Sequence, residues 1–136
     1  MNAQVLVPGA ASGEALVLAE PLSLWGGLDP QSGTIIDQRH PDCGAQVNGR
    51  ILILPAGRGS SSASSILLEA VRVGMAPAAI ITAEVDSILA LGAAVAREMY
   101  AQAPAVVVLG PDDYAQLQTG QQIAVEKSGR LSINHS

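Results

Sequence analysis

The pattern of apolar and polar positions along the chain predicts short strands at its start and a buried strand near its middle. Residues 4–8 and 14–20 are apolar or alternating segments separated by Gly9 and Gly13, and each predicts a strand. Residues 50–55, Arg-Ile-Leu-Ile-Leu-Pro, form a continuous apolar run, which is typical of a strand buried on both faces. These segments indicate a sheet with a buried centre.

The middle of the chain has the pattern of a βαβ unit. An amphipathic helix is predicted over residues 62–73, and Gly74 ends it. A strand is predicted over residues 78–82. Because a helix connects the strand at 50–55 to this one, the two strands are expected to run parallel.

The remaining segments complete a mixed sheet. The other predicted elements are a loop at 21–33, a strand at 34–37, a helix at 88–100, a strand at 105–109, a short helix at 111–117 and a hairpin of 122–127 with 130–134. In the second long helix, the apolar residues that recur at helical spacing are Ile88, Leu91, Val95 and Met99. We therefore predict an α/β fold, a single compact domain over residues 1–136 with β/β/α layers and a central βαβ unit.

Composition restricts the function classes. Apolar residues make up 49% of the chain and aromatic residues 2%, so the core is expected to be aliphatic. The net charge is −5, which argues against nucleic acid as a partner. The apolar runs are shorter than the roughly 18 residues of a membrane span, and no basic segment precedes an apolar N-terminal stretch. We expect no membrane association and a cytoplasmic location.

The chain has one cysteine, Cys43. No disulfide can form within the chain. An iron–sulfur cluster usually takes several cysteines, so this chain is not expected to hold one by itself.

A glycine–serine loop, Gly-Arg-Gly-Ser-Ser-Ser at residues 57–62, is the strongest candidate for chemistry. It follows the buried strand and precedes a helix, where free backbone N–H groups and the helix dipole favour an anion. Gly57 and Gly59 allow a ligand to approach the backbone, and Arg58 adds a guanidinium suited to carboxylate or phosphate.

The loop lacks the Gly-Lys-Ser/Thr of a Walker A motif, and Ser62 replaces the third glycine of a dinucleotide fingerprint. It also lacks the Gly-x-Ser-x-Gly of a hydrolase elbow. The physical prediction is an anion site of unassigned kind; the alternative for Ser62 is a plain helix N-cap.

The loop, with a further serine at position 64, resembles the swivel domain of the aconitase X family. The resemblance covers residues 12–110 or so. Its other segments are residues 20–30 (Glu-Pro-Leu-Ser-Leu-Trp-Gly-Gly-Leu-Asp-Pro), 36–37, 40–44 (His-Pro-Asp-Cys-Gly), 78–81 and 88–92.

The resemblance implies a swivelling domain and a function as the small subunit of a two-subunit hydro-lyase. It implies a large partner subunit that carries an iron–sulfur cluster, a small carboxylate substrate and no activity of the small subunit alone. It further implies that Ser60 is the catalytic base and that Gly59, Ser61 and Ser62 contact substrate. The wider aconitases have arginine where this chain has Ser62, and Arg58 is a candidate replacement.

Three functions remain open from the sequence. The first is dehydration of cis-3-hydroxy-L-proline to Δ1-pyrroline-2-carboxylate, and the second is dehydration of 5-phosphomevalonate to trans-anhydromevalonate 5-phosphate. The third, of a different class, is a stand-alone anion-binding module without catalysis. In the two enzymatic functions a Lewis acid must help hydroxide to leave, and the small number of metal ligands in this chain places that acid on a partner.

His40, Cys43 and Trp25 have alternative interpretations. His40 and Cys43 have the spacing of half a metal site, but with no second pair we expect a loop histidine and a packed thiol. Trp25 is either an exposed anchor for the partner or a buried plug of its loop.

Two further pairs carry charge. Glu69 and Arg72 are expected to form a solvated i,i+3 pair on the first long helix. Glu84 and Asp86 follow a strand end, and no role is assigned to them.

Overall fold

A mixed sheet of short strands is the centre of the fold. The computed structural model describes residues 1–57 and 62–134. The strands are β1 (Gln4–Val7), β2 (Ala11–Val17), β3 (Leu28–Asp29), β4 (Thr34–Ile35), β5 (Ile51–Leu54), β6 (Ala79–Thr82), β7 (Ala105–Val108), β8 (Gln122–Val125) and β9 (Leu131–Asn134). The helices are α1 (Leu24–Gly27), α2 (Ser62–Val73), α3 (Ser87–Tyr100) and α4 (Pro111–Tyr114).

Within the described residues, the main sheet has seven strands in the order β1-β7-β6-β5-β2-β8-β9, and β3 pairs separately with β4. The neighbours β2, β5, β6 and β7 are parallel, while β1, β8 and β9 pair antiparallel at the two sides. The predicted βαβ unit is confirmed, and β6-α3-β7 repeats it. The carboxyl ends of the four parallel strands therefore lie along one edge of the sheet.

The central strands are buried on both faces, as the apolar run at residues 50–55 predicts. Leu52 and Leu54 belong to a core cluster that also contains residues of α2 and α3. Ile51 and Ile53 point to the opposite face and join a second cluster with residues of β8 and β9. Because side chains alternate along a strand, each of these strands contributes to both cores.

The sheet curls so that its two edges meet. A bridge joins Asn2 to Arg130, and the backbone N–H of Leu131 donates to the carbonyl of Met1 at 2.8 Å. This contact covers part of each edge strand and encloses the second core cluster. The result is the predicted β/β/α arrangement, in which the curled sheet provides two layers and the helices the third.

The helices α2 and α3 pack closely because small residues line their contact. The buried residues of α3 are Leu89, Gly92, Ala93 and Ala96. A Cβ on Gly92 would lie 3.1 Å from both the Cα and the carbonyl oxygen of Ser64 in α2. This glycine therefore allows the two helix backbones to approach each other.

Most of the apolar residues whose spacing predicted α3 do not lie on its buried face. Leu91 and Met99 are 58% and 59% exposed, and Val95 is 37% exposed. The small residues on the other side of α3 permit closer packing against α2, and this closeness outweighs the larger apolar area of the exposed stripe.

Other predicted boundaries shift as well. The second strand begins at Ala11 instead of residue 14, because its polar first half pairs with β8. The predicted loop at 21–33 contains the single turn α1, in which Trp25 and Gly26 have non-helical dihedral angles. Among the described helices, none has the length and apolar character needed to cross a membrane.

Replacing Gly92 with alanine tests the close approach of the helices. We expect Gly92→Ala to lower the free energy of unfolding by about 1 kcal/mol, because overpacking of about 1–3 kcal/mol exceeds the helix-propensity gain of up to about 1 kcal/mol. Urea denaturation measures the change. Ala94→Gly, at an exposed position of the same helix, measures the propensity effect alone. A Gly92→Ala protein more stable than the wild type would contradict this packing.

Candidate functional site

The glycine–serine loop joins the carboxyl end of a central strand to the amino end of a helix. β5 ends at Leu54, Gly57 follows it, and α2 begins at Ser62. The predicted positions of the strand and helix on either side of the loop are therefore confirmed. Arg58, Gly59, Ser60 and Ser61 lie outside the described residues. The roles assigned to them and to Ser62 stay predictions.

The amino end of α2 has the electrostatics of an anion site. The helix has no acidic residue in its first turn, so no carboxylate of that turn neutralises the positive end of its dipole. Ser62, its first residue, is half-buried. This end of the helix therefore favours a negatively charged ligand.

The amino end of α3 is neutralised by Asp86. One carboxylate oxygen of Asp86, Oδ1, accepts hydrogen bonds from the backbone N–H groups of Ile88 at 3.1 Å and Leu89 at 3.0 Å. Its backbone is extended, as expected for an N-cap. Both helices begin at the same edge of the sheet, and the amino end of α3 is already occupied by this carboxylate.

The second carboxylate oxygen of Asp86 binds the start of the glycine–serine loop. Oδ2 accepts a hydrogen bond from the backbone N–H of Gly57 at 2.9 Å. From the sequence alone, no role is assigned to this aspartate. Its position directly before an apolar helical segment was a signal for the cap, but the bond to Gly57 joins residues 29 positions apart and leaves no local pattern.

Gly57 is a glycine for a packing reason. A Cβ at this position would lie 2.5 Å from Asp86 Oδ2 and 3.8 Å from Leu89 Cδ1. In the structure a carboxylate of the same chain approaches Gly57 closely. Close approach of a ligand to Gly57, which the loop sequence predicts, stays a prediction.

A polar cleft lies close to the loop. The bridge between Leu22 and Gly57 joins one of its flanking segments to the loop. The cleft encloses about 380 Å³ and is lined by Glu20, Pro21, Ser23, Trp25, Gly26, Gly27, Asp37, Arg39 and His40. Trp25 is 59% exposed, so it is an exposed side chain and not a plug of its loop.

His40 is a structural histidine of this cleft. Its Nδ1 accepts the backbone N–H of Asp42 at 3.0 Å, and its Nε2 lies 3.1 Å from the carbonyl oxygen of Glu20. Because Nδ1 is an acceptor and Nε2 contacts an acceptor, the neutral ring carries its proton on Nε2. With both nitrogens bonded to the backbone, His40 is the loop histidine that was predicted.

The prediction of a packed thiol at Cys43 is wrong. The Cys43 side chain is exposed. The turn is held by backbone bonds, including the one from the Cys43 N–H to the His40 carbonyl, so packing of the sulfur is not needed. In residues 1–57 and 62–134, no group of three or more His, Cys, Asp or Glu side chains is arranged to hold a metal ion.

The predicted pair of Glu69 and Arg72 is confirmed on the surface of α2. Arg72 Nε donates to the two oxygens of Glu69 at 3.1 and 3.0 Å, and Gln31 Nε2 donates to Oε1 at 3.0 Å. The bonds from Arg72 and then Gln31 lower the pKa of Glu69 to about 2. This pair, through Gln31, connects α2 to the loop before β4.

The chain is similar to proteins of one family. The family model described as Aconitase X swivel domain matches residues 1–133. Cis-3-hydroxy-L-proline dehydratase of Pseudomonas aeruginosa is 50% identical over 79% of this chain and 18% of its own length. The phosphomevalonate dehydratase small subunit of Methanothermobacter thermautotrophicus is 37% identical over 81% of this chain and 84% of its own length. The chain thus spans less than a fifth of the first relative and most of the second.

A solved structure gives the same family. A chain in the crystal structure of Thermococcus kodakaraensis aconitase X, holo-form, superposes with a TM-score of 0.87 at 32% identity. The match covers 98% of this chain and 97% of that chain. The predicted α/β swivel-domain fold is therefore confirmed.

Replacing His40 tests its structural role. We expect His40→Ala to lower the free energy of unfolding by about 1–3 kcal/mol, since it removes the partners of the Asp42 N–H and the Glu20 carbonyl. Thermal or urea denaturation measures this. Cys43→Ser, at an exposed position of the same turn, should change stability by less than about 0.5 kcal/mol. Equal effects of the two substitutions would contradict the assignment.

Proposed function

We propose that this chain, which belongs to the aconitase X swivel domain family, acts as the small subunit of a two-subunit dehydratase. In this role it would supply one wall of the active site. The observation that carries the proposal is the loop between β5 and α2, which joins a strand end to a helix amino end without an acidic first turn. The sequence of this loop is the one that resembles the family's catalytic segment. Its partner is a large aconitase X-type subunit.

The substrate that we propose is cis-3-hydroxy-L-proline. The higher of the two reported sequence identities is to a protein named for this substrate. The alternative is 5-phosphomevalonate, and its support is the agreement in length with a protein named as a phosphomevalonate dehydratase small subunit. Both substrates carry a carboxylate, which the amino end of α2 is suited to bind.

In the proposed reaction, Ser60 is the base. It takes the proton from the carbon next to the carboxylate, the bond pair forms the C2–C3 double bond, and the hydroxyl of C3 leaves. This hydroxide and the proton taken from C2 together account for the water released. The resulting enamine tautomerises to Δ1-pyrroline-2-carboxylate. A serine is a weak base unless its alkoxide is stabilised, and free N–H groups at a helix amino end together with the Arg58 guanidinium supply such stabilisation.

Gly59, Ser61 and Ser62 are proposed to contact the substrate, beside Arg58. Ser62 begins α2, so its backbone N–H is one of those without a partner inside the helix. A carboxylate at this point would interact favourably with the helix dipole. Arg58 would then compensate for the arginine that the wider aconitases have at the position of Ser62.

The iron–sulfur cluster is proposed to belong to the large subunit. The residues described here do not fit such a group, since they include one exposed cysteine and no cluster of three metal ligands. When bound in the partner, the cluster would supply a Lewis acid for the leaving hydroxide. This chain alone is therefore expected to be inactive.

Replacing Ser60 tests the base. In a complex with the large subunit, we expect Ser60→Ala to lower kcat by about 10²–10⁴-fold, the range typical of a lost general base. Steady-state dehydration of cis-3-hydroxy-L-proline measures it. Ser65→Ala is the matched control, because Ser65 is exposed on α2 and lies outside the loop. A Ser60→Ala complex with full activity would refute the base assignment.

Assaying one reconstituted complex on both substrates tests the specificity. We expect kcat/KM for cis-3-hydroxy-L-proline to exceed that for 5-phosphomevalonate, because the sequence identity is higher to the protein named for the former. The reverse order would assign the chain to the alternative dehydratase. Binding of phosphate or carboxylate by the chain, with no activity beside any large subunit, would instead favour the stand-alone anion-binding module.

A further inference from the structure

We propose that Asp86 is a positioning residue for the reaction: its carboxylate fixes the first residue of the glycine–serine loop to the amino end of α3 and thereby places Ser60. The inference rests on the proposed function, because it acts through the base. It assigns Asp86 no contact with substrate.

The two oxygens of Asp86 have separate tasks. Oδ1 serves α3, with Ile88 and Leu89 as donors, and Oδ2 serves the loop, with Gly57 as donor. Three N–H groups thus converge on one carboxylate, and hydrogen bonds to an ionised acceptor are stronger than neutral ones. An N-cap needs only one acceptor oxygen. A serine would cap α3 equally well, so the second oxygen has a purpose beyond capping.

Both ends of the loop are held in place by α3 or by its N-cap. The first end, Gly57, is bonded to the cap of α3. The second end is the start of α2, and α2 packs against α3 where a Cβ on Gly92 would lie 3.1 Å from Ser64 Cα. α3 and its cap therefore contact both the residue that begins the loop and the helix that follows it. Misplacing a catalytic group by about 1 Å can cost roughly 100-fold in rate.

The glycine at position 57 provides an independent way to disturb this contact. A methyl group there would lie 2.5 Å from Asp86 Oδ2, which is too close without movement of the carboxylate or the loop. Removing the carboxylate removes the obstacle. Gly57→Ala and Asp86→Ser should therefore be coupled, so that the double variant loses less activity than the product of the single losses.

The test uses the complex with the large subunit and cis-3-hydroxy-L-proline. Asp86→Ser keeps an oxygen to cap α3 and removes the bond to Gly57. We expect kcat to fall by about 10–100-fold with a smaller change in KM, because Ser62 and the amino end of α2 still bind the carboxylate while the base is displaced. Asp86→Asn should also lose activity, since its amide places an N–H group either against Gly57 or against the α3 cap.

Gly13→Ala is the matched control for lost stability. A Cβ on Gly13 would lie 2.7 Å from the Gly49 carbonyl oxygen, near the amino end of β5 and away from the loop. It should lower the melting temperature and leave kcat of the folded complex unchanged. If Gly13→Ala lowered kcat as much as Asp86→Ser does at equal loss of stability, the effect of Asp86 would be structural and the proposal would be overturned.

Two further outcomes separate the inference from the proposed function. Full activity of the Asp86→Ser complex beside an inactive Ser60→Ala complex would overturn the positioning role and leave the proposed function intact. Full activity of the Ser60→Ala complex would instead overturn the base on which the positioning role depends. A loss of kcat in Asp86→Ser that is coupled to Gly57→Ala supports the proposal.

Discussion

The central parallel strands are buried on both faces, and the rest of the structure depends on this constraint. Ile51 and Ile53 need one apolar layer, and Leu52 and Leu54 need another. The curled edges of the sheet supply the first layer, and α2 and α3 supply the second. A helix that covers a parallel sheet must begin where the preceding strand ends. Both helices therefore start at one edge, and the two helix dipoles meet there.

Asp86 makes these two helix ends different. By accepting the N–H groups at the start of α3, its carboxylate neutralises one positive end, whereas the first turn of α2 has no acidic residue. The same carboxylate holds Gly57 at the entrance of the loop. A single acidic side chain thus contributes to stability and to the electrostatic asymmetry of the edge. In the sequence, the proposed catalytic serine, Ser60, lies between Gly57 and the start of α2.

Local patterns predicted the elements of this edge well. The apolar run of β5, the helix from Ser62 to Val73 and its glycine stop are all local in sequence, and so the βαβ unit was predictable. The buried side of α3 was not, because it depends on how closely α2 can approach. The pairing of β1 with β7 and the bond from Asp86 to Gly57 depend on chain segments far apart, which a single sequence does not reveal. The role of Ser60 came from family resemblance and remains a prediction.

The central claim is that this chain supplies half of a composite active site. The most direct test is a titration of a purified large aconitase X-type subunit with increasing amounts of this chain, with dehydration of cis-3-hydroxy-L-proline as the signal. The claim predicts no turnover by either protein alone and a rate that saturates at one chain per large subunit. A large subunit with the same rate in the absence of this chain would contradict it.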